Sequence, residues 1–328
     1  MAATRTFTLL SLALAAAGCA ATTPSLPPPE ESVVVLNAGD LTLTLVRLAD
    51  PLLIQTIPVG NIGGTPLALA ARGLQGLITT GAGSTVAYVD VSGEHSAVMY
   101  RLETGHGAAG VVFLNDSIAY ITNPFVNRIT RLNVRSGDTL TIAVGQAPMA
   151  VAVARGRLFV ANANVTYDCE DAGPCILGPS WLTVVDPDRN LPIDSIPLPG
   201  PGNAADIQVG ADGLLYVLSA GAGGIDQGRL TIVDPVLRQE VGSFSGFGPL
   251  PTRLASDGRE RLFVTSTGEG LMEFNTRTRR VVRGVNSAIP LASGVTATVD
   301  AAGFIYAVES GGCGGELGRM RIFRPDLT

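Results

Sequence analysis

Side chains suited to covalent or proton-transfer chemistry are few in this 328-residue chain: two histidines, four cysteines and no lysine among 22 basic residues. Without lysine, Schiff-base chemistry is excluded. His95 and His106 lie about a dozen residues apart, with no third metal ligand beside them and no triad or nucleophile-elbow pattern anywhere. They are expected as exposed loop residues rather than general bases. Haem attachment through Cys-x-x-Cys-His is absent, and the single tryptophan, Trp181, offers no quinone-docking pattern. No catalytic residue is assigned. Cys169 and Cys175 bracket Glu170-Asp171-Ala172-Gly173-Pro174, a spacing that predicts a loop-stapling disulfide in an oxidising compartment. A metal on the same pair would lack a nearby histidine or further cysteine. Asp168, Glu170 and Asp171 have the oxygens for Ca²⁺ but no EF-hand-like spacing, so they are read as a solvated acidic tip. Cys313 is left over, as a free thiol or an alternative partner.

The elements that must position these residues are strands. Charged residues make up only 15% and there are 40 glycines, and Val, Ile, Leu and Thr recur in short runs, which favours many short strands joined by tight turns. An apolar-aromatic-Val-polar line recurs as Ala119–Asn123, Leu158–Asn162, Leu215–Ser219, Leu262–Ser266 and Ile305–Glu309, with weaker copies at Val33–Asn37 and Leu77–Thr80. The period is about 40 to 57 residues, in or just beyond the propeller range. After each copy comes an alternating strand, often closed by an acid (Val86–Asp90, Leu182–Asp186, Leu230–Asp234), then a third strand such as Leu52–Val59 or Leu140–Val144. A small-residue strand follows, closed by a turn, and Asp212-Gly213 and Asp257-Gly258 are strong hairpin signals there.

Four strands per unit around a ring describe an all-β protein, a β-propeller whose twisted sheets bury their faces against one another. Seven blades are expected, with six or eight as alternatives: five complete units, a first lacking its innermost strand and a last lacking its outermost. Tyr120-Ile121-Thr122-Asn123, followed by Ile142-Ala143-Val144-Gly145-Gln146-Ala147-Pro148, resembles the YVTN-repeat family of surface-layer-type seven-bladed propellers, and Phe159–Asn162 and Ile57–Gly60 fit the same pattern. The resemblance spans nearly all of 33–328. It implies an architecture and carries no catalytic residue across.

On such a ring the second-to-third-strand loops share a face with the connections between blades. The blade-four loop, Asn162–Ser180, is the longest, and the blade-five (Ser219–Gly228) and blade-seven (Glu309–Gly318) loops are long and Gly-rich. That face is the candidate binding surface. Aligned on their closing Gly or Asp, the inner strands put Ala68, Val111, Val151, Gln208, Arg253 and Thr298 at one register and Ala70, Phe113, Val153, Gly210, Ala255 and Asp300 two residues later. Polar character is thus confined to blades five to seven. With Asp206, these residues predict an ionic cluster near the channel in which Arg253 pairs with an acid, either for folding or to recognise an anion or sugar.

The N-terminus carries Arg5, an apolar run from Phe7 to Ala17, then Gly18-Cys19, a short secretory signal too brief to span a membrane. Ala16-Ala17-Gly18-Cys19 resembles the bacterial lipobox, which implies a diacylated Cys19 at the mature N-terminus and stable anchoring in a bilayer. Ala20 in place of the retention aspartate of enteric lipoproteins implies the outer membrane, facing the periplasm or the cell surface. The expected organisation is residues 1–18 as signal peptide, 19–32 as lipidated Cys19 and Pro-rich tether, and 33–328 as propeller. A net charge of −6 and a pI near 5.0 oppose binding to nucleic acid. The functional expectation is a cell-envelope binding or scaffolding module, more readily non-catalytic, that presents its long-loop face to an envelope protein, peptide or glycan. The alternative is a metal-dependent hydrolase or lactonase with Asp206, Asp300 or Glu309 as ligands at the channel mouth. No cofactor is evident; a divalent metal is what those carboxylates would take.

Overall fold

The computed structural model describes residues 32–50, 54–60, 63–90, 97–102, 106–169, 175–222, 227–311 and 318–328. Their strands form seven successive antiparallel meander sheets, the seven blades of a β-propeller. Blade one holds Ser32–Asn37, Thr42–Arg47 and Ile54–Pro58, and blade seven holds Gly294–Val299, Ile305–Glu309 and Arg319–Phe323. The five blades between them have four strands each, as the repeat count predicts. The described residues contain no strand that pairs blade one with blade seven.

The recurring aromatic line is the second strand of blades three to seven, and it is almost wholly buried, its polar closing residues included, because both of its faces are covered. Ile118–Asn123 and Leu215–Ser219 are buried at every position, whereas the outer strand Leu191–Pro197 buries only Ile196. Tyr120, Phe159, Tyr216 and Phe263 are among the largest fully buried side chains, each stabilising the blade-to-blade packing by about 1.5–3 kcal/mol. Acids and amides at the third-strand ends act as turn acceptors. Asp186 takes the N–H groups of Asp188 and Arg189, Asp234 those of Val236 and Leu237, and Asn133 those of Arg135 and Ser136. In the predicted Asp-Gly turns, Gly213 and Gly258 adopt φ of 77° and 69°, which glycine tolerates without strain.

Inner-strand side chains alternate between neighbouring blades. Ala150, Ala152 and Ala154 of Pro148–Ala154 meet Ile207, Leu215 and Val217 of blade five, while Val151 meets Ile118 and Tyr120 of blade three. The edge of each inner strand, rather than a face, therefore borders the channel.

In blades two, three and six the repeat threonine stitches the blade to the next. Thr79 Oγ1 donates to the Ala109 carbonyl at 2.6 Å, Thr122 Oγ1 to Met149 at 3.3 Å and Thr265 Oγ1 to Val295 at 3.4 Å. In blades four and five the corresponding residues, opposite Ala150 and Asp206, are Ala161 and Leu218, so no hydroxyl is available there. Arg253 fills both places, donating from Nη1 to the carbonyls of Ala205 and Thr252 at 3.4 Å each.

Candidate functional site

The inner strands enclose a channel of about 790 Å³. Val33, Leu69, Val111, Phe113, Val151 and Val153 give blades one to four an apolar wall, and Asp206, Gln208, Arg253, Thr296 and Thr298 give blades five to seven a polar one. The asymmetry follows the sequence, but the register does not. Gln208 and Thr298 stand opposite Tyr216 and Tyr306, at one level, whereas Arg253 stands opposite Thr265, two residues beyond the matching aromatic Phe263. Val111 and Val151 pair with Ile121 and Val160, on yet another level. Aligning on the closing Gly or Asp mixes levels because the inner turns differ in length: Ala154 pairs with Arg157, but Val209 pairs with Leu215.

A second feature is invisible to periodicity. The inner strands of blades four to seven each open with a register shift, between Pro148 and Ala150, Ala204 and Asp206, Pro251 and Arg253, and Gly294 and Thr296. Such bulges re-aim the residue that follows. Here they set Asp206 and Arg253 at the same level of adjacent blades, each opposite the residue two beyond its blade's aromatic.

Asp206 and Arg253 interact electrostatically without forming a direct ion pair. Asp206 Oδ2 accepts the Leu254 N–H at 2.8 Å and Oδ1 the Ile207 N–H at 2.9 Å, so the carboxylate ties blade five to blade six. Burial within the ring raises its pKa above the usual carboxylate value, outweighing the Arg253 guanidinium and the two N–H donors that lower it. The side chain also lines the channel. Arg253 engages protein acceptors through Nη1 alone.

Of the other candidate acids, Asp300 also borders the channel and Glu309 does not. Asp300 lies beyond the far end of Gly294–Val299, buried, accepting from Phe304 N at 2.8 Å and Tyr306 OH at 3.0 Å. Asp212 holds Tyr216 in the same way, at 2.8 Å. Both are turn braces for a repeat aromatic. Glu309 is at the long-loop end of blade seven, opposite Gly294, and about 20 Å from Asp300 along the strand. It is buried between Arg319, 2.6 Å away, and Arg321, 3.5 Å away, and accepts the Ala292 N–H. Burial alone would raise its pKa, but Ala292 and the two guanidinium groups overcome that and hold it below the usual value. Asp206, Asp300 and Glu309 therefore do not converge on one point, and no group of three metal-ligating side chains occurs among the described residues.

On the long-loop face, Cys169 and Cys175 are joined by a disulfide, as their spacing predicts. Beside it Val165–Thr166 pairs with Cys175–Ile176 in a short hairpin that the sequence pattern did not show. Asn127 of the blade-three loop bonds Gln146, and Gln146 bonds the Val165 carbonyl, at 2.9 and 3.1 Å. The same two loops meet in Phe125 and Tyr167, whose rings pack edge to face with centroids 5.5 Å apart. Both remain 47% exposed, and Leu177, which follows the Cys175–Ile176 strand of the same loop, 59%. Tyr167 OH also reaches Met149 Sδ, at 3.6 Å, and Met149 lines the channel. The aromatic patch thus borders the channel mouth.

His106 corrects an expectation. It is buried rather than exposed, in the connection from blade two to blade three. That connection is pinned: the His106 carbonyl accepts Phe125 N–H, Asn123 Nδ2 bonds the Gly107 carbonyl, and Gly81 and Ala108 exchange backbone bonds. Cys19, His95, Glu170, Asp171 and Cys313 lie outside the described residues, as do the first 31 positions and parts of the blade-five and blade-seven loops.

No protein-family model matches the chain. No curated protein matches it either. Solved structures do. A streptogramin B lyase is 11% identical over 89% of this chain and 90% of its own, with a TM-score of 0.65. A catalytically inactive virginiamycin B lyase from Staphylococcus aureus, solved with quinupristin, is 11% identical over 84% of this chain and 89% of its own, also at 0.65. Hydrazine synthase of Kuenenia stuttgartiensis is 13% identical over 76% and 77%, at 0.56. At such identities the likeness is one of fold, and the fold is the seven-bladed propeller.

Proposed function

We propose that this chain is a lipid-anchored cell-envelope propeller of the YVTN-repeat kind that binds an envelope protein, peptide or glycan through its long-loop face. One observation carries the reading: two aromatic rings, Phe125 and Tyr167, are half-exposed on loops held by a disulfide, a hairpin and the Asn127–Gln146–Val165 latch. Rigid, exposed aromatics are what binding surfaces use as anchors, because they bury much area and lose little entropy on binding. On this reading Cys19 carries the lipid and the Pro-rich segment up to Ser32 stands the ring off an outer membrane. The metal-hydrolase alternative draws no comparable support, since its three carboxylates are dispersed.

The test is site-specific photo-crosslinking in intact cells. A crosslinking residue in place of Leu177, exposed on the same blade-four loop as Tyr167, is expected to give discrete adducts. The same residue in place of Val236, which is 66% exposed in a turn on the opposite face, is expected to give none. Adducts of equal yield from both positions, or from Val236 alone, overturn the proposal.

A further inference from the structure

We infer that the central channel is a second binding site, for a small carboxylate with an apolar body, and that Arg253 anchors the carboxylate. The inference is independent of the long-loop face. Arg253 uses only Nη1 within the protein, in two bonds of 3.4 Å, at the long end of hydrogen-bond geometry. Its role as a substitute for the missing threonines at Ala161 and Leu218 accounts for Nη1 and for nothing else. Nε and Nη2 remain, with no acceptor among the described residues, on a side chain that lines the channel. These are two donors of the planar fork that fits a carboxylate bidentately.

Asp206 does not occupy that fork. Each of its oxygens already accepts a backbone N–H, from Leu254 and from Ile207. The Gln208 amide and the Thr298 hydroxyl, two residues further along their strands than the Asp206–Arg253 level, also border the channel and make no side-chain hydrogen bond among the described residues. Across from these groups the wall is Leu69, Val111 and Val153, which are only partly buried. A ligand matching both walls is anionic at one end and apolar along its body, and the channel volume of about 790 Å³ is that of a small-molecule site. Asp206 adds an unfavourable charge beside the anion, so its removal is a second handle.

Calorimetric titration of the full chain with octanoate, 1-octanol and octylammonium tests this without any substitution. Octanoate is expected to saturate at one per chain, with the alcohol and the ammonium at least about tenfold weaker, the scale of a charge-assisted bidentate contact. Arg253→Gln is expected to weaken octanoate at least tenfold, and Arg253→Lys to weaken it less, since it keeps the charge without the fork. Asp206→Asn is expected to tighten it. Val236→Ala, in an exposed turn on the opposite face, is expected to leave it unchanged. Octanol binding as well as octanoate, absence of saturable octanoate binding, or full affinity in folded Arg253→Gln overturns the inference.

Discussion

Phe125 and Tyr167 stand edge to face, their ring planes 85° apart and their centroids 5.5 Å apart, and that contact joins the loops of blades three and four into one surface. Such a pair contributes about 0.5–1.5 kcal/mol beyond its area, modest beside the packing of seven blades. Replacing both rings by alanine is expected to leave the thermal midpoint within about 2 °C of wild type, as for most surface substitutions. A larger drop, read by differential scanning calorimetry, would show that the rings are there to hold the fold.

The Cys169–Cys175 bridge closes a loop of separation six, for which chain entropy predicts roughly 2 kcal/mol, felt locally rather than by the whole ring. Cys169→Ser/Cys175→Ser should therefore show faster proteolysis between Tyr167 and Ile176 with a small shift in global midpoint. Unchanged proteolysis there would mean that the hairpin alone orders the loop.

Thr79 and Thr265 donate to the next blade in different company. The Ala109 carbonyl receives Thr79 Oγ1 at 2.6 Å, whereas the Val295 carbonyl receives Thr252 Oγ1 at 3.1 Å as well as Thr265. Thr79→Val leaves a buried carbonyl short of its side-chain donor and is expected to cost about 1–3 kcal/mol by chemical denaturation. Thr265→Val, with Thr252 still in place, is expected to cost less than half of that. Equal costs would contradict the stitching role.

Asp206 and Glu309 should bend the stability–pH curve in opposite directions. The folded-state pKa of Asp206 is raised above 3.8, so stability falls as pH rises through it. The advantage of wild type over Asp206→Asn should shrink as pH rises above 3.8. The folded-state pKa of Glu309 is lowered from 4.5, so its contribution is complete above that value and is lost as pH falls through the lowered one. Arg319 and Arg321 are 70% and 42% exposed, so solvent screening keeps the effect of Glu309→Gln near 1 kcal/mol. Urea midpoints of both variants across pH 3–8 check the two slopes, and slopes of the same sign would refute the assignment.

The ring was legible because its signal is local and repeated: Tyr120, Phe159, Tyr216, Phe263 and Tyr306 mark strands covered on both faces, and each lies in an uninterrupted apolar run. The disulfide was legible from spacing alone. The level shared by Asp206 and Arg253 was not, because it depends on bulges at Ala204–Asp206 and Pro251–Arg253 that leave the residue pattern unchanged. The burial of His106 is not legible because the bonds that pin its segment come from Phe125, Asn123 and Gly81, all in other strands or turns. The Phe125–Tyr167 contact was missed for the same reason, since each ring alone is an ordinary aromatic in a loop. The second-strand Thr122 was read as part of a signature, and its hydroxyl proves to be a link to Met149 of the next blade.

The central claim, binding through the long-loop face, is tested most directly by crosslinking yield from Leu177 in cells expressing wild type, Phe125→Ala/Tyr167→Ala, or the opposite-face control Phe304→Ala. The account predicts that adducts fall at least about tenfold in the double variant, the scale of two lost aromatic anchors, and persist in the control at equal protein levels. Adduct yields that are the same in all three would contradict it.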